Sequence, residues 1–110
     1  MKMVIAIIQG KDAGVLTSKL VAKAYGVTRI NTSGGFLRET NATLLIGTAD
    51  EKVEDVLNTI RENCKTRSRY INPLPSMGEP GGELYIPQPV EVQVGGATIF
   101  VVAVDKYLRL

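Results

Sequence analysis

The sequence predicts an α+β fold in which two helices cover one face of an antiparallel sheet, in the strand–helix–strand–strand–helix–strand order of a ferredoxin-like arrangement. Three observations carry that expectation. Strand-length apolar runs and stretches of helical spacing follow one another in that order. Glycines punctuate the segments, at Gly10, Gly26, Gly34-Gly35 and Gly95-Gly96. All five prolines fall within residues 73–89, which marks one long loop and a hairpin arm inserted before the last strand. With 110 residues and 45% hydrophobic content, the expectation is one domain with one core, residues 1–110.

Residues 3–9 form an apolar, β-branched run ended by Gly10, the pattern of a central strand. From Asp12, a candidate cap, Ala13, Leu16, Leu20 and Ala24 recur at helical spacing, and Gly26 supplies the stop. Residues 27–33 read as a second strand, 34–41 as its turn and 42–48 as a third strand. Asp50 is a candidate cap for a second helix with the stripe Val53, Val56, Leu57, Ile60 and Cys64. Its acids come early and Arg61 and Lys65 late, in the sense that suits the helix dipole. A short strand over 69–72, the loop, an alternating strand over 90–94, a Gly95-Gly96 hairpin signal and an apolar strand over 97–104 complete the chain.

Two helices cover one sheet face, yet the first and last strands are apolar on both faces: Val4, Ala6 and Ile8 stand against Ile5 and Ile7, and Ile99, Val101 and Ala103 against Phe100, Val102 and Val104. A second copy of the chain is the expected cover, so the sequence predicts a homo-oligomer with ligand crevices between subunits.

Composition narrows the chemistry. The net charge is +2, with no basic run to track a nucleic-acid backbone, so no nucleic-acid polymer is expected as partner. There is no histidine and one cysteine, which excludes the usual zinc ligand sets and Ser-His-Asp or Cys-His centres within one chain. Cys64 reads as a small buried hydrophobe rather than a nucleophile. The apolar start is too short for a signal peptide, and no run reaches membrane-spanning length, so the expected location is cytoplasmic, off the membrane. No Walker A pattern follows either glycine cluster, and no acid/base pair is set apart, so no catalytic residues, metal or cofactor are expected.

The candidate site lies around residues 28–47. Gly34-Gly35 can turn backbone N–H groups into an anion-binding concavity, or simply make a hairpin turn. Thr28, Asn31, Thr32 and Ser33 offer neutral donors that suit phosphate oxygens, although each alone is ordinary strand chemistry. Phe36 and Leu37 are apolar at a turn apex and fit either a base-stacking platform or subunit packing. Asn41 carries an amide able to pair with adenine, or serves as a turn residue. Arg38 and Arg109 are candidate phosphate partners.

At Thr32-Ser33-Gly34-Gly35-Phe36-Leu37-Arg38 followed by Asn41, the chain resembles the PII-like cyclic-di-AMP receptor family. The likeness continues in Pro73-x-x-x-Met77-Gly78, in Tyr85-Ile86-Pro87-x-Pro89-Val90-Glu91-Val92-x-Val94-Gly95-Gly96-Ala97-Thr98-x-Phe100-Val101, and in the opening Met1-Lys2-Met3-Val4-Ile5-Ala6-x-x-Gln9. The resemblance implies a non-enzymatic homotrimer of ferredoxin-like subunits that binds cyclic-di-AMP between neighbours and signals to a downstream protein by reshaping its loops. Under it, Thr28 serves a phosphate, Gly35 and Gly47 give backbone contacts, Phe36, Leu37 and Phe100 flank the bases, and Asn41 reads adenine. The chain departs from the family pattern at Ala24 and Gly26, where receptors carry Asn and Arg, and at Leu108-Arg109-Leu110, where they carry His-Gln-Phe; Arg29 and Arg109 are the candidate replacement cations. The alternatives are a PII-like regulator that senses another adenine nucleotide, and a structural trimer that acts through its Pro/Gly loop.

Overall fold

A computed structural model describes residues 1–33, 40–71 and 89–110. The order is β1 (Lys2–Gln9), α1 (Gly10–Ala22), β2 (Gly26–Ser33), β3 (Thr40–Thr48), a 3-10 turn (Asp50–Lys52), α2 (Val53–Asn63), β4 (Arg67–Ile71), β5 (Val90–Val94) and β6 (Ala97–Ala103). Four strands form an antiparallel sheet in the order β2-β3-β1-β6, and β4 pairs with β5 in a separate two-stranded sheet. This small α+β arrangement is compatible with a ferredoxin-like fold.

The sheet is sided by its period of two. Val4, Ala6 and Ile8 of β1 and Ala42, Leu44 and Ile46 of β3 point to one face and are buried there under Ala13, Leu16 and Leu20 of α1 and Val56 and Ile60 of α2. Cys64, just past α2, closes the same core. Full burial of each large aliphatic side chain is worth about 1.5–3 kcal/mol, so this face holds the helices to the sheet. The opposite face carries Met3, Ile5 and Ile7 with no helix over it.

Capping differs from the sequence expectation at three places. Asp12 does not start α1, which begins at Gly10 with Gln9 as its cap residue and no side-chain cap bond. Asp12 lies in the first turn, buried, and accepts from Arg67 Nη2 at 3.0 Å, which ties β4 to α1. Asp50 does not cap α2 either; it sits in the 3-10 turn and takes the Met1 ammonium at 2.8 Å, which holds its carboxyl below the usual range. The helix stop is Ala24, not Gly26. Ala24 has φ 66°, and the Tyr25 and Ala24 amides donate to Leu20 O at 3.0 Å and Val21 O at 2.9 Å, a Schellman closure on a non-glycine residue. Gly26 opens β2 instead.

The α1 exit is pinned sideways as well. The Tyr25 hydroxyl donates to Asp55 Oδ2 at 2.7 Å, and Lys23 Nζ reaches Asp55 Oδ1 at 3.2 Å and Thr59 Oγ1 at 2.9 Å. These bonds, Tyr25 first, hold the Asp55 carboxyl below its ordinary range. They fix where β2 begins, and hence which of its residues face which way.

Strand ends also move. Thr40 and Asn41, expected in the turn, belong to β3; β4 starts at Arg67, before the expected residue 69. Gly95 and Gly96 both have positive φ, 84° and 78°, as a glycine turn requires, yet they do not close a β5–β6 hairpin. β6 leaves its neighbour in sequence and pairs with β1. A Cβ on Gly95 would stand 2.4 Å from Lys65 O, and one on Gly96 2.7 Å from Thr66 Oγ1, so the crossing passes directly against the chain leaving α2. The expected loop over 73–89 lies outside the described residues apart from Pro89.

Two stability predictions follow from these backbone features. Ala24→Gly relieves a left-handed alanine and is expected to raise the unfolding free energy by about 1 kcal/mol, read as a higher urea midpoint at unchanged m-value. Gly95→Ala combines positive φ with a backbone clash and is expected to lower it by more than about 1 kcal/mol in the same measurement.

Candidate functional site

Antiparallel partners project to the same face, so the ladder registers define rows across the open side of the sheet. One row runs Thr28, Leu45, Ile5, Phe100. The next runs Gly26, Gly47, Met3, Val102, and a third runs Ile30, Thr43, Ile7, Thr98. Thr32, Asn41 and Gln9 continue the series toward the other end of the face. Thr28, Asn41, Gly47 and Phe100, four of the residues expected from the sequence, thus share one face although 72 positions of the chain separate the first from the last.

Among the described residues nothing covers that face, which is largely apolar. Phe100 is 53% exposed, Ile30 45%, Val102 39% and Ile7 36%. Two hollows open on it. One, of about 780 Å³, is lined by Met3, Gly26, Thr28, Gly47, Lys106 and Tyr107 among others. The second, of about 440 Å³, is lined by Gln9, Asn41, Gln93, Gly95, Gly96 and Thr98 among others. Thr28 and Gly47 therefore meet in one hollow and Asn41 lies in the other, with the Phe100 row between Gly47 and the Thr98 row.

Glycine at 26 and 47 leaves bare backbone at the first hollow. A Cβ on Gly26 would meet nothing within 4 Å, whereas one on Gly47 would come within 3.3 Å of Met1 Cε. Gly47 carries no side chain of its own, and the end of the Met1 side chain is what lies over it. The lining of the first hollow contains hydroxyls and a lysine and no carboxylate; amides and hydroxyls supply the polar lining of the second.

Other expected residues fall elsewhere. Gly34, Gly35, Phe36, Leu37 and Arg38 lie outside the described residues. Arg109 is exposed in the segment after β6 and lines neither hollow. Arg29 alternates to the helix-side face, opposite Thr28, and its Nε donates to Asn31 Oδ1 at 2.8 Å. It cannot replace a phosphate cation beside Thr28, and Asn31 is likewise removed from the donor group by the same parity. Lys106 and Tyr107 were not singled out by sequence reasoning. Their presence depends on β6 pairing with β1, a ladder that the Val104 N–H to Met1 O bond at 3.1 Å extends by one pair, and no local pattern in the sequence announces that pairing.

Among the described residues no group of three or more His, Cys, Asp or Glu is placed to hold a metal ion, and no helix is long and apolar enough to cross a membrane. Cys64 is buried, and that burial, followed by the nearby Asp12 charge, pushes its thiol from 9.0 to about 11. A thiol held that high is not a nucleophile near neutral pH. Below pH 9 the native thiolate population is expected to be roughly 100-fold smaller than in the unfolded chain, so a thiol reagent at pH 8 labels Cys64 only after denaturant is added.

Comparison with known proteins gives two findings. A family model described as "Cyclic-di-AMP receptor" matches residues 1–110, the whole chain. A solved structure, the crystal structure of a functionally unknown protein from Pediococcus pentosaceus ATCC 25745, is 37% identical with a TM-score of 0.74, over 99% of this chain and 96% of that one.

Proposed function

The chain belongs to the cyclic-di-AMP receptor family, a binding and signalling family rather than an enzymatic one, and from that premise we propose that it is a non-enzymatic PII-like signal-transduction protein that binds cyclic-di-AMP in crevices between the subunits of a homotrimer. The observation that carries the proposal is the open sheet face, where Thr28, Asn41, Gly47 and Phe100 come together on an apolar surface. An apolar face flanked by polar hollows suits a ligand with flat bases and a charged backbone.

The roles follow the chemistry of the groups. Thr28 donates its hydroxyl to a phosphate oxygen, and the amide of Asn41 reads an adenine edge. Gly47 offers its backbone, and Phe100 packs its ring against a base. Gly34, Gly35, Phe36 and Leu37, with Thr32 leading into them, bring backbone donors and further apolar cover, and Arg109 from the tail is a further phosphate partner. A single subunit exposes half of such a site, and a neighbour packed on the apolar face supplies the other wall. Ligand binding then acts on a protein partner through the turn expected at 34–41 and the loop expected at 73–89, inside the cytoplasm where this nucleotide would be sensed. The residues 1–110 act as one PII-like domain.

Gly26 supports a second reading, in which the protein senses another adenine nucleotide: β2 opens into the hollow with no side chain at the position where the family carries an arginine. Isothermal titration with cyclic-di-AMP, cyclic-di-GMP, ATP and AMP separates the two. Under the first reading cyclic-di-AMP binds near or below about 1 μM, which is about −8 kcal/mol, and light scattering gives the mass of three chains. Thr28→Ala and Asn41→Ala are each expected to weaken binding about ten-fold without changing the thermal midpoint. Silence with cyclic-di-AMP at tens of micromolar, beside clear heat with ATP, transfers the assignment to the second.

A further inference from the structure

We propose that Lys106 is the cation that holds the ligand's phosphate in the hollow beside Thr28 and Gly47. This rests on the nucleotide-binding reading above and adds to it a cation inside the hollow itself, which Arg109 does not line.

The hollow is chemically one-sided. Its lining carries the Thr28 hydroxyl, the Tyr107 phenol and Lys106 against an apolar floor of Met3, Leu45 and Val102, and no carboxylate. An anion placed there meets donors from the lining, while the neighbouring carboxylates lie outside it: Asp50 is held by the Met1 ammonium and Asp105 is exposed in the tail. Its cation is not shared with anything else: Lys106 makes no ion pair among the described residues. Three other cations of the described residues are engaged by carboxylates. The Met1 ammonium is bound to Asp50 at 2.8 Å, Lys23 to Asp55 at 3.2 Å and Arg67 to Asp12 at 3.0 Å. Lys2 and Arg29 lie in rows on the helix-side face, away from Thr28.

Position and reach also fit. The Val104 N–H to Met1 O bond at 3.1 Å holds the start of the tail against the end of β1, two residues before Lys106. From there a four-carbon stem carries a point charge with three donors, a group that binds phosphate without demanding a fixed fork geometry. Gly26, on the far strand of the same row as Gly47, leaves the space above it open, so a phosphate can approach the β2–β3 edge without meeting a side chain there. A cation grafted at Gly26 would enter the same hollow from the other side.

The test is a titration of the full chain with cyclic-di-AMP at low and high salt, for wild type, Lys106→Gln, Lys106→Arg and the double variant Lys106→Gln/Gly26→Arg. Lys106→Gln is expected to weaken binding about ten-fold or more at low salt, the scale of one lost charge-assisted hydrogen bond, and to flatten the salt dependence. Lys106→Arg retains affinity, and Gly26→Arg restores it in the Gln background. Wild-type affinity and an unchanged salt response in Lys106→Gln overturn the proposal and leave the nucleotide-binding reading standing. A wild-type chain that gives no heat with cyclic-di-AMP overturns both together.

Discussion

One sheet with two apolar faces and helices enough for only one of them is the constraint on which this structure turns. Burial of Val4, Ala6, Ile8, Leu44 and Ile46 under α1 and α2 fixes the parity of every strand. Once the parity is fixed, Met3, Ile5, Leu45, Phe100 and Val102 have nowhere to go but outward. The candidate site is a by-product of that choice: the polar residues interleaved with those apolar ones, Thr28 and Asn41, are carried to the same side. A slip of one residue in β2 would exchange Thr28 for Arg29 and put a different chemistry on the open face.

Several interactions serve to prevent such a slip. The Schellman closure at Ala24 and the Tyr25 and Lys23 bonds to Asp55 set the point at which β2 begins. The Arg67–Asp12 pair and the close passage of Gly95 and Gly96 against Lys65 and Thr66 do the same for the segment that returns as β6. These contacts are mostly near the surface, where ion pairs add little stability, and their larger effect is on register. Ala24 shows that the chain accepts a backbone penalty at this junction. A residue other than glycine holds the left-handed position, and the turn is still formed because both amide bonds and the packing of Tyr25 on the core depend on it.

The electrostatics of the open face follow from what the rest of the chain has already paired. The N-terminal ammonium of Met1, at the hollow beside Thr28, is committed to Asp50, which leaves Lys106 as the lysine of a lining that holds no carboxylate. A modest net charge of +2 therefore says little about local potential. Among the described residues six acids lie on the helices and the 3-10 turn, while Glu91 is on β5 and Asp105 stands exposed in the tail beside Lys106.

Read alone, the sequence determined the element order, both helical stripes, the two-faced apolar sheet and the family to which the chain belongs, because periodicity and motif spacing are local properties that no partner strand needs to supply. It also placed Thr28, Thr32, Asn41, Gly47 and Phe100 in one site, through the resemblance rather than through any rule of spacing. It misjudged Asp12 and Asp50, since a carboxylate ahead of a helical stripe reads as a cap until an arginine from β4 or the chain's own ammonium is seen to claim it. It misread the Gly95-Gly96 junction for the same reason: positive φ marks a turn, but whether the next strand pairs with its neighbour or crosses to β1 is settled by packing between distant segments. Only the tertiary structure turned Arg29 away from Thr28 and set Lys106 in the same hollow, because strand parity and the pairing of β6 with β1 are set by contacts far apart in the chain.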